Sequence, residues 1–128
     1  MRILLDTCTF LWIAEGSTQL SRTAAAAYAD RDNETFLSVA SAWEIAIKHS
    51  CGKLPLPSPI DEWVLKMRAK GDTLPLAIDE ESAIHVARLP RLHTDPFDRI
   101  LVAQAIIHGM TILTPDPFIR SYPARTLW

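Results

Sequence analysis

Several acidic residues of this chain stand where carboxylate chemistry is possible. Asp6 closes the apolar run Ile3-Leu4-Leu5. Glu44 lies inside Val39-Ala40-Ser41-Ala42-Trp43-Glu44-Ile45-Ala46-Ile47. Asp95 and Asp98 bracket Pro96-Phe97, and Asp116 sits between Pro115 and Pro117. Carboxylates gathered in one place repel and raise one another's pKa values unless a cation lies among them. Oxygen-only donors suit Mg²⁺ or Mn²⁺ rather than zinc. Such an ion can activate water and clamp a phosphodiester, so metal-assisted phosphodiester hydrolysis is the chemistry this set would support.

Each acid also has an ordinary explanation. Asp6 serves equally as a solvated strand-end acid or a helix cap. Glu44 can pair with Lys48 one turn on, but an exposed pair of that kind contributes only ~0.3–0.5 kcal/mol. That does not account for an acid in so apolar a segment, where an unpaired carboxylate costs several kcal/mol. Asp95 before Pro96 has a sufficient role as an N-cap, with proline favoured at the first helical position. Asp98 falls in the first helical turn, where the helix dipole favours an acid. Asp116 suits a turn fixed by its flanking prolines. Their convergence gives these acids weight, and convergence depends on the elements that carry them.

The apolar patterning predicts strand, then helix, repeatedly. Arg2 to Asp6 reads as a strand, followed by a helix capped by Thr7, carried by Phe10, Leu11, Ile13 and Ala14, and ended by Gly16. Ser21 caps a second helix reaching about Arg31, and Thr35 to Ser38 is a second strand. Val39 to Ser50 forms a helix apolar around almost its whole circumference, which predicts burial on all sides. Cys51 to Pro59 reads as a surface loop. Ile60, Trp63, Val64 and Met67 keep helical spacing up to Gly71. Thr73 to Ile78 reads as a strand, and Glu80 to Leu89 as a helix with Ala83, Val86 and Ala87 inward. The best-marked helix runs from Asp95-Pro96 to Gly109, and strands are expected at Met110 to Leu113 and near Thr126-Leu127. This alternation predicts a parallel sheet with helices on both faces, and ligands then bind beyond the carboxyl ends of the strands.

At 128 residues the chain has the length of one domain, read as 1–128, able to bury a core without disulfides or structural zinc. Cys8 and Cys51 lack metal-type spacing, and no apolar run approaches the ~20 residues of a membrane helix. A short apolar N-terminus stopped by a charge does not read as a signal peptide, so a reduced, cytoplasmic protein is expected. The net charge of −2 weighs against nucleic-acid binding, although site acids would be neutralised by their cation and Arg88, Arg91 and Arg99 cluster in sequence.

The segments Leu4-Leu5-Asp6-Thr7, Ser38 to Lys48, His93 to Ala105 and Ile112-Leu113-Thr114-Pro115-Asp116 together resemble the PIN-domain family, and within it the VapC-type toxins of toxin–antitoxin pairs. They span the chain in the family's order and spacing. The resemblance implies a three-layer α/β/α fold around a short parallel sheet and a Mg²⁺- or Mn²⁺-dependent endoribonuclease. It implies that Asp6, Glu44 and Asp98 are the main acids and Asp116 the fourth. Asp95 would assist, with Thr7, Ser41 and Thr114 as supporting hydroxyls. It further implies an RNA substrate, a homodimer and a cognate antitoxin that blocks the site. Asp98 is preferred to Asp95 because the family's acid is the one next before the Ile-Leu-Val-Ala run, here with only Arg99 between.

The remaining candidates read as structural. His49, His85, His93 and His108 show no ligand spacing, and Trp63 and Met67 read as core. Cys8 reads as a small buried apolar residue. Arg99 suits either a phosphate or an ion pair with a site carboxylate. A haloacid-dehalogenase-type phosphatase needs a second Asp where this chain has Cys8, and a phosphoacceptor receiver domain does not need Glu44. A PIN fold kept only as a binding module is the non-enzymatic alternative.

Overall fold

Alternation along the strands fixes the architecture. In the computed structural model, which describes residues 1–128, Ile3 and Leu5 join Leu37 and Leu113 in one buried cluster, while Leu4 joins Phe36 and Ile112 in another. A strand with apolar residues on both faces must be covered on both. The strands are β1 (Arg2–Leu5), β2 (Glu34–Ser38), β3 (Leu74–Leu76), β4 (Thr111–Leu113) and β5 (Thr126–Leu127). They form a five-stranded sheet in the order β3-β2-β1-β4-β5, with every neighbouring pair parallel. The helices are α1 (Thr7–Glu15), α2 (Arg22–Ala29), α3 (Val39–Ser50), α4 (Ile60–Lys70), α5 (Glu80–His85), α6 (Pro96–His108) and α7 (Pro117–Arg120). Phe10, Ala24, Ile45, Trp63 and Val64 from α1 to α4 cover one face. Leu101, Val102, Ala105 and Ile119 from α6 and α7 cover the other. This is the three-layer α/β/α arrangement expected. No helix is long and apolar enough to cross a membrane.

The structure corrects several local expectations. Asp6, not Thr7, is the N-cap residue of α1; its extended backbone (φ −66°, ψ 152°) starts the helix without any side-chain cap bond. The α2 helix stops at Ala29 and β3 is confined to Leu74–Leu76. Helix α3 is not buried all round: Val39, Trp43 and Ile47, one turn apart, form an apolar stripe open to solvent. Ala40, Ser41, Glu44 and Ile45 are its buried side.

The expected helix over Glu80 to Leu89 breaks after His85 into a 3-10 turn, Val86–Arg88. Its cap explains the inward face. Asp79 accepts hydrogen bonds from the Ser82 backbone N–H (3.2 Å) and Ser82 Oγ (2.6 Å). Ser82 is thereby turned inward, and Ala83 and Ala87 are exposed. Arg99 donates to the Val86 and Pro90 carbonyls at 3.1 and 2.9 Å, drawing both into side-chain bonds where the helix ends. Arg99 therefore pairs with no site carboxylate.

One polar tie crosses the core. Gln104 of α6 is fully buried; its Oε1 accepts from Ser38 Oγ at 2.6 Å and its Nε2 donates to the Ala77 carbonyl at 3.1 Å. It joins the carboxyl ends of β2 and β3 to α6. Gln104→Leu removes the acceptor of the buried Ser38 hydroxyl, which then only accepts from the Ala40 backbone N–H, and is expected to cost about 1–3 kcal/mol of stability in urea unfolding. An unchanged unfolding midpoint would show that the tie carries no weight.

Candidate functional site

The sheet order reverses at β1, whose neighbours are β2 on one side and β4 on the other. In an open parallel sheet this switch point leaves a crevice beyond the strand ends. Register pairs Leu5 with Leu113, so Asp6 and Thr114 leave their strands side by side. Thr114 Oγ1 donates to Asp6 Oδ2 at 2.7 Å, and the Asp116 backbone N–H donates to Thr114 Oγ1 at 3.0 Å. Cys8 Sγ donates to the same Asp6 oxygen at 3.1 Å. Cys8 is thus more than apolar filling, although it is no nucleophile: burial and the Asp6 charge hold its thiol well above the usual range. Burial also raises the pKa of Asp6, which is 4 % exposed; bonds from Thr114, Cys8 and the Thr7 backbone oppose the shift and the Asp116 charge adds to it.

Asp98 enters from α6. Asp95 caps that helix, accepting from the backbone N–H groups of Phe97 (2.9 Å) and Asp98 (3.2 Å), with Pro96 at the first position. Asp98 Oδ2 takes a hydrogen bond from His93 Nε2 at 3.0 Å. Burial pushes the Asp98 carboxyl up to about 6; the His93 bond pulls it down, while the charges of Asp95, Asp6 and Asp116 push it up. Asp116 caps α7, accepting from the Phe118 backbone N–H at 2.8 Å.

Glu44 comes from α3. One turn earlier on the same buried side, Ser41 Oγ accepts from Thr7 Oγ1 at 2.9 Å, which ties α3 to the residue after Asp6. Trp43 meets Phe97 edge to face at 5.2 Å, so the neighbours of Glu44 and Asp98 touch. Glu44 is 7 % exposed, and its Oε2 accepts from Lys48 Nζ at 2.7 Å. That bond, with the charges of Glu44, Asp95 and Asp98, raises the pKa of Lys48.

The fold therefore brings Asp6, Asp98, Asp95 and Asp116 into one another's fields at the switch point, with Glu44 on the adjoining helix. It does not close them: no three His, Cys, Asp or Glu side chains surround a common point as they stand. Their bonding is uniform, however. In each of Glu44, Asp95, Asp98 and Asp116 the hydrogen bonds named above fall on one carboxylate oxygen and leave the other out, and in Asp6 both side-chain bonds fall on Oδ2. No buried polar atom lacks a partner, so the oxygens left out face accessible space. Hard oxygen donors, pre-oriented and partly free, fit Mg²⁺ or Mn²⁺. His93, expected to be structural, bonds a site acid instead; it lies in a loop before the α6 cap and shares no helical spacing with Asp98.

The PIN-domain family model matches residues 3–124. The chain belongs to the PIN-domain family. Among related PIN-domain sequences, ribonuclease VapC22 of Mycobacterium tuberculosis is 28% identical over 120 residues, covering 94% of this chain and 91% of that protein. Ribonuclease VapC16 of the same organism is 43% identical over 56 residues, which span 44% of this chain and 40% of that relative's length. The PIN fold is also that of VapBC2 from Rickettsia felis bound to a DNA fragment from their promoter, with a TM-score of 0.73, 11% identity and coverage of 99% and 98%. VapBC-1 from nontypeable Haemophilus influenzae gives a TM-score of 0.65 at 12% identity, with 99% and 97% covered.

The raised Asp98 carboxyl makes this PIN domain's stability pH-dependent. The folded state holds the Asp98 proton more tightly than the unfolded chain, whose ordinary value is 3.8. The stabilisation is complete below that value and is lost as pH rises through about 6. Without divalent cations, Asp98→Asn should therefore gain stability relative to the parent chain as pH rises from about 4 to about 6. Urea unfolding in EDTA measures the gap, and a gap independent of pH would refute this account of Asp98.

Proposed function

We propose that this PIN domain is a divalent-cation-dependent endoribonuclease and the toxin of a VapBC-type pair. The observation that carries the reading is the gathering of carboxylates, four of them with an oxygen left out of the internal bonding, at the switch point of the sheet. The ribonuclease relatives, one aligned over 94% of this chain, support the activity. The VapBC neighbours support an antitoxin protein as partner. A homodimer and a cytoplasmic setting belong to the same reading.

Asp6, Glu44, Asp98 and Asp116 would hold the cation, with Asp95 assisting. Mg²⁺ or Mn²⁺ bound there would supply positive charge against the carboxylates and the phosphate, and a more acidic water. Thr114 and Cys8 keep one Asp6 oxygen fixed, and the Thr7–Ser41 bond keeps α3 against the start of α1. These groups hold the carboxylates in place so that little reorganisation accompanies the reaction. Water adds to phosphorus of an RNA phosphodiester and the bond to the leaving oxygen breaks. A cleft of about 540 Å³ that shares His93 with the acids is lined by Arg91 and Arg99, which would give a bound RNA strand a basic surface despite the net charge of −2.

Asp6→Asn keeps the shape of the side chain and removes its charge. It should lower Mg²⁺-supported cleavage of a labelled RNA by roughly 100-fold or more, with the circular-dichroism spectrum unchanged. RNA cleavage equal to that of the parent chain would remove the assignment. A binding module without catalysis is the alternative that the Glu44–Lys48 pair favours. Such a module would take up no Mn²⁺ in a titration.

A further inference from the structure

His93 is bonded at both ring nitrogens and packed against two aromatic rings. Nε2 lies 3.0 Å from Asp98 Oδ2 and Nδ1 lies 2.7 Å from the Tyr122 hydroxyl. The ring stacks on Phe118 at 5.1 Å and 6°, and meets Tyr122 at 5.4 Å. Arg99 Nη1 donates to the same Tyr122 hydroxyl oxygen at 3.0 Å, its guanidinium 5.8 Å from the Tyr122 ring centre. Phe118 belongs to α7, the helix that Asp116 caps.

For a neutral imidazole facing the Asp98 carboxylate, which accepts, these contacts fix the direction of every proton in the chain of bonds. Arg99 can only donate, so the Tyr122 oxygen accepts from it. The Tyr122 hydroxyl hydrogen is then free for one acceptor, and the neighbour in reach is His93 Nδ1. A neutral imidazole accepting at Nδ1 carries its hydrogen on Nε2, which is the nitrogen that faces Asp98. The tautomer is thus set by Arg99 and Tyr122 and read out at the carboxylate.

We propose that His93, with its tautomer fixed by Tyr122 and Arg99, is a positioning residue that pins Asp98 Oδ2 and so presents Oδ1 to the divalent cation. The proposal rests on the reading of Asp98 as a cation-binding acid. A carboxylate held through one oxygen cannot rotate to resolvate, and outer hydrogen bonds of this kind typically govern metal affinity by 10–100-fold. Stacking on Phe118 extends the effect: the ring that pins Asp98 also rests on the helix carrying Asp116, so one side chain holds both acids to a common frame.

Mn²⁺ titration of the full chain, followed by the electron paramagnetic resonance signal of free Mn²⁺, tests this with thermal unfolding alongside. His93→Leu should weaken Mn²⁺ binding about 10- to 100-fold. RNA cleavage in that variant should recover as Mn²⁺ is raised, because the loss lies in affinity and not in the reacting groups. His93→Gln, which keeps an amide N–H donor, should stay closer to the parent chain, and Tyr122→Phe should fall between. The proposal is overturned if His93→Leu binds Mn²⁺ as the parent does, or if the Leu and Gln variants lose affinity equally and in step with thermal stability. In either case Asp6→Asn still abolishing Mn²⁺ binding would leave the ribonuclease reading standing. A parent chain that binds no Mn²⁺ would sink both.

Discussion

The parallel pairing of β1 with β2 and β4 is the constraint on which the rest depends. It makes β1 the central strand and sends its chain out between neighbours whose connections leave in opposite directions. Asp6 is the first residue past that strand, and Thr114 the first past β4. Any slip of β4 against β1 would take Thr114 away from Asp6 and turn the Leu113 side chain out of its cluster. The apolar packing that sets the register is therefore also what aligns the acids, and no separate device is needed to bring them together.

A second theme is how carboxylates are kept in a place that disfavours their charge. Burial raises Asp6 and Asp98, and nearby acids raise them further. Hydrogen bonds from Thr114, Cys8 and His93 offset part of that cost while using one oxygen only. Asp95 and Asp116 are held by helix N-termini, which favour anions on their own account. The result is a site that spends stability to keep acids available, as functional sites commonly do.

Much of this was legible in the sequence because it rests on local rules. Asp95-Pro96 and Gly109 mark the ends of α6 through capping chemistry, and the runs around Ile3 to Leu5 and Ile112-Leu113 mark strands buried on both faces. Glu44 stood out because an acid in an apolar segment needs a reason, although apolar spacing overstated the burial of α3: periodicity records which residues are apolar, not whether a neighbour covers them. What stayed hidden depends on contacts between distant segments. His93 meets Asp98 through a loop, Arg99 turns to carbonyls near the end of α5, and Gln104 reaches Ser38 across the core; none of these leaves a spacing to read. The break after His85 is of the same kind, since it occurs where Arg99 takes the Val86 carbonyl.

Lys48 has a consequence for how the molecule assembles. Its ammonium sits on a flexible, half-exposed stem beside a nearly buried carboxylate. The chain thus carries a counter-ion of its own, covalently attached and present from synthesis onward. Helix α3 can dock on the sheet without waiting for an ion from solution, so acquisition of structure is uncoupled from mineral supply. A tethered cation of this sort also yields readily, because its stem can swing into water when a stronger charge arrives.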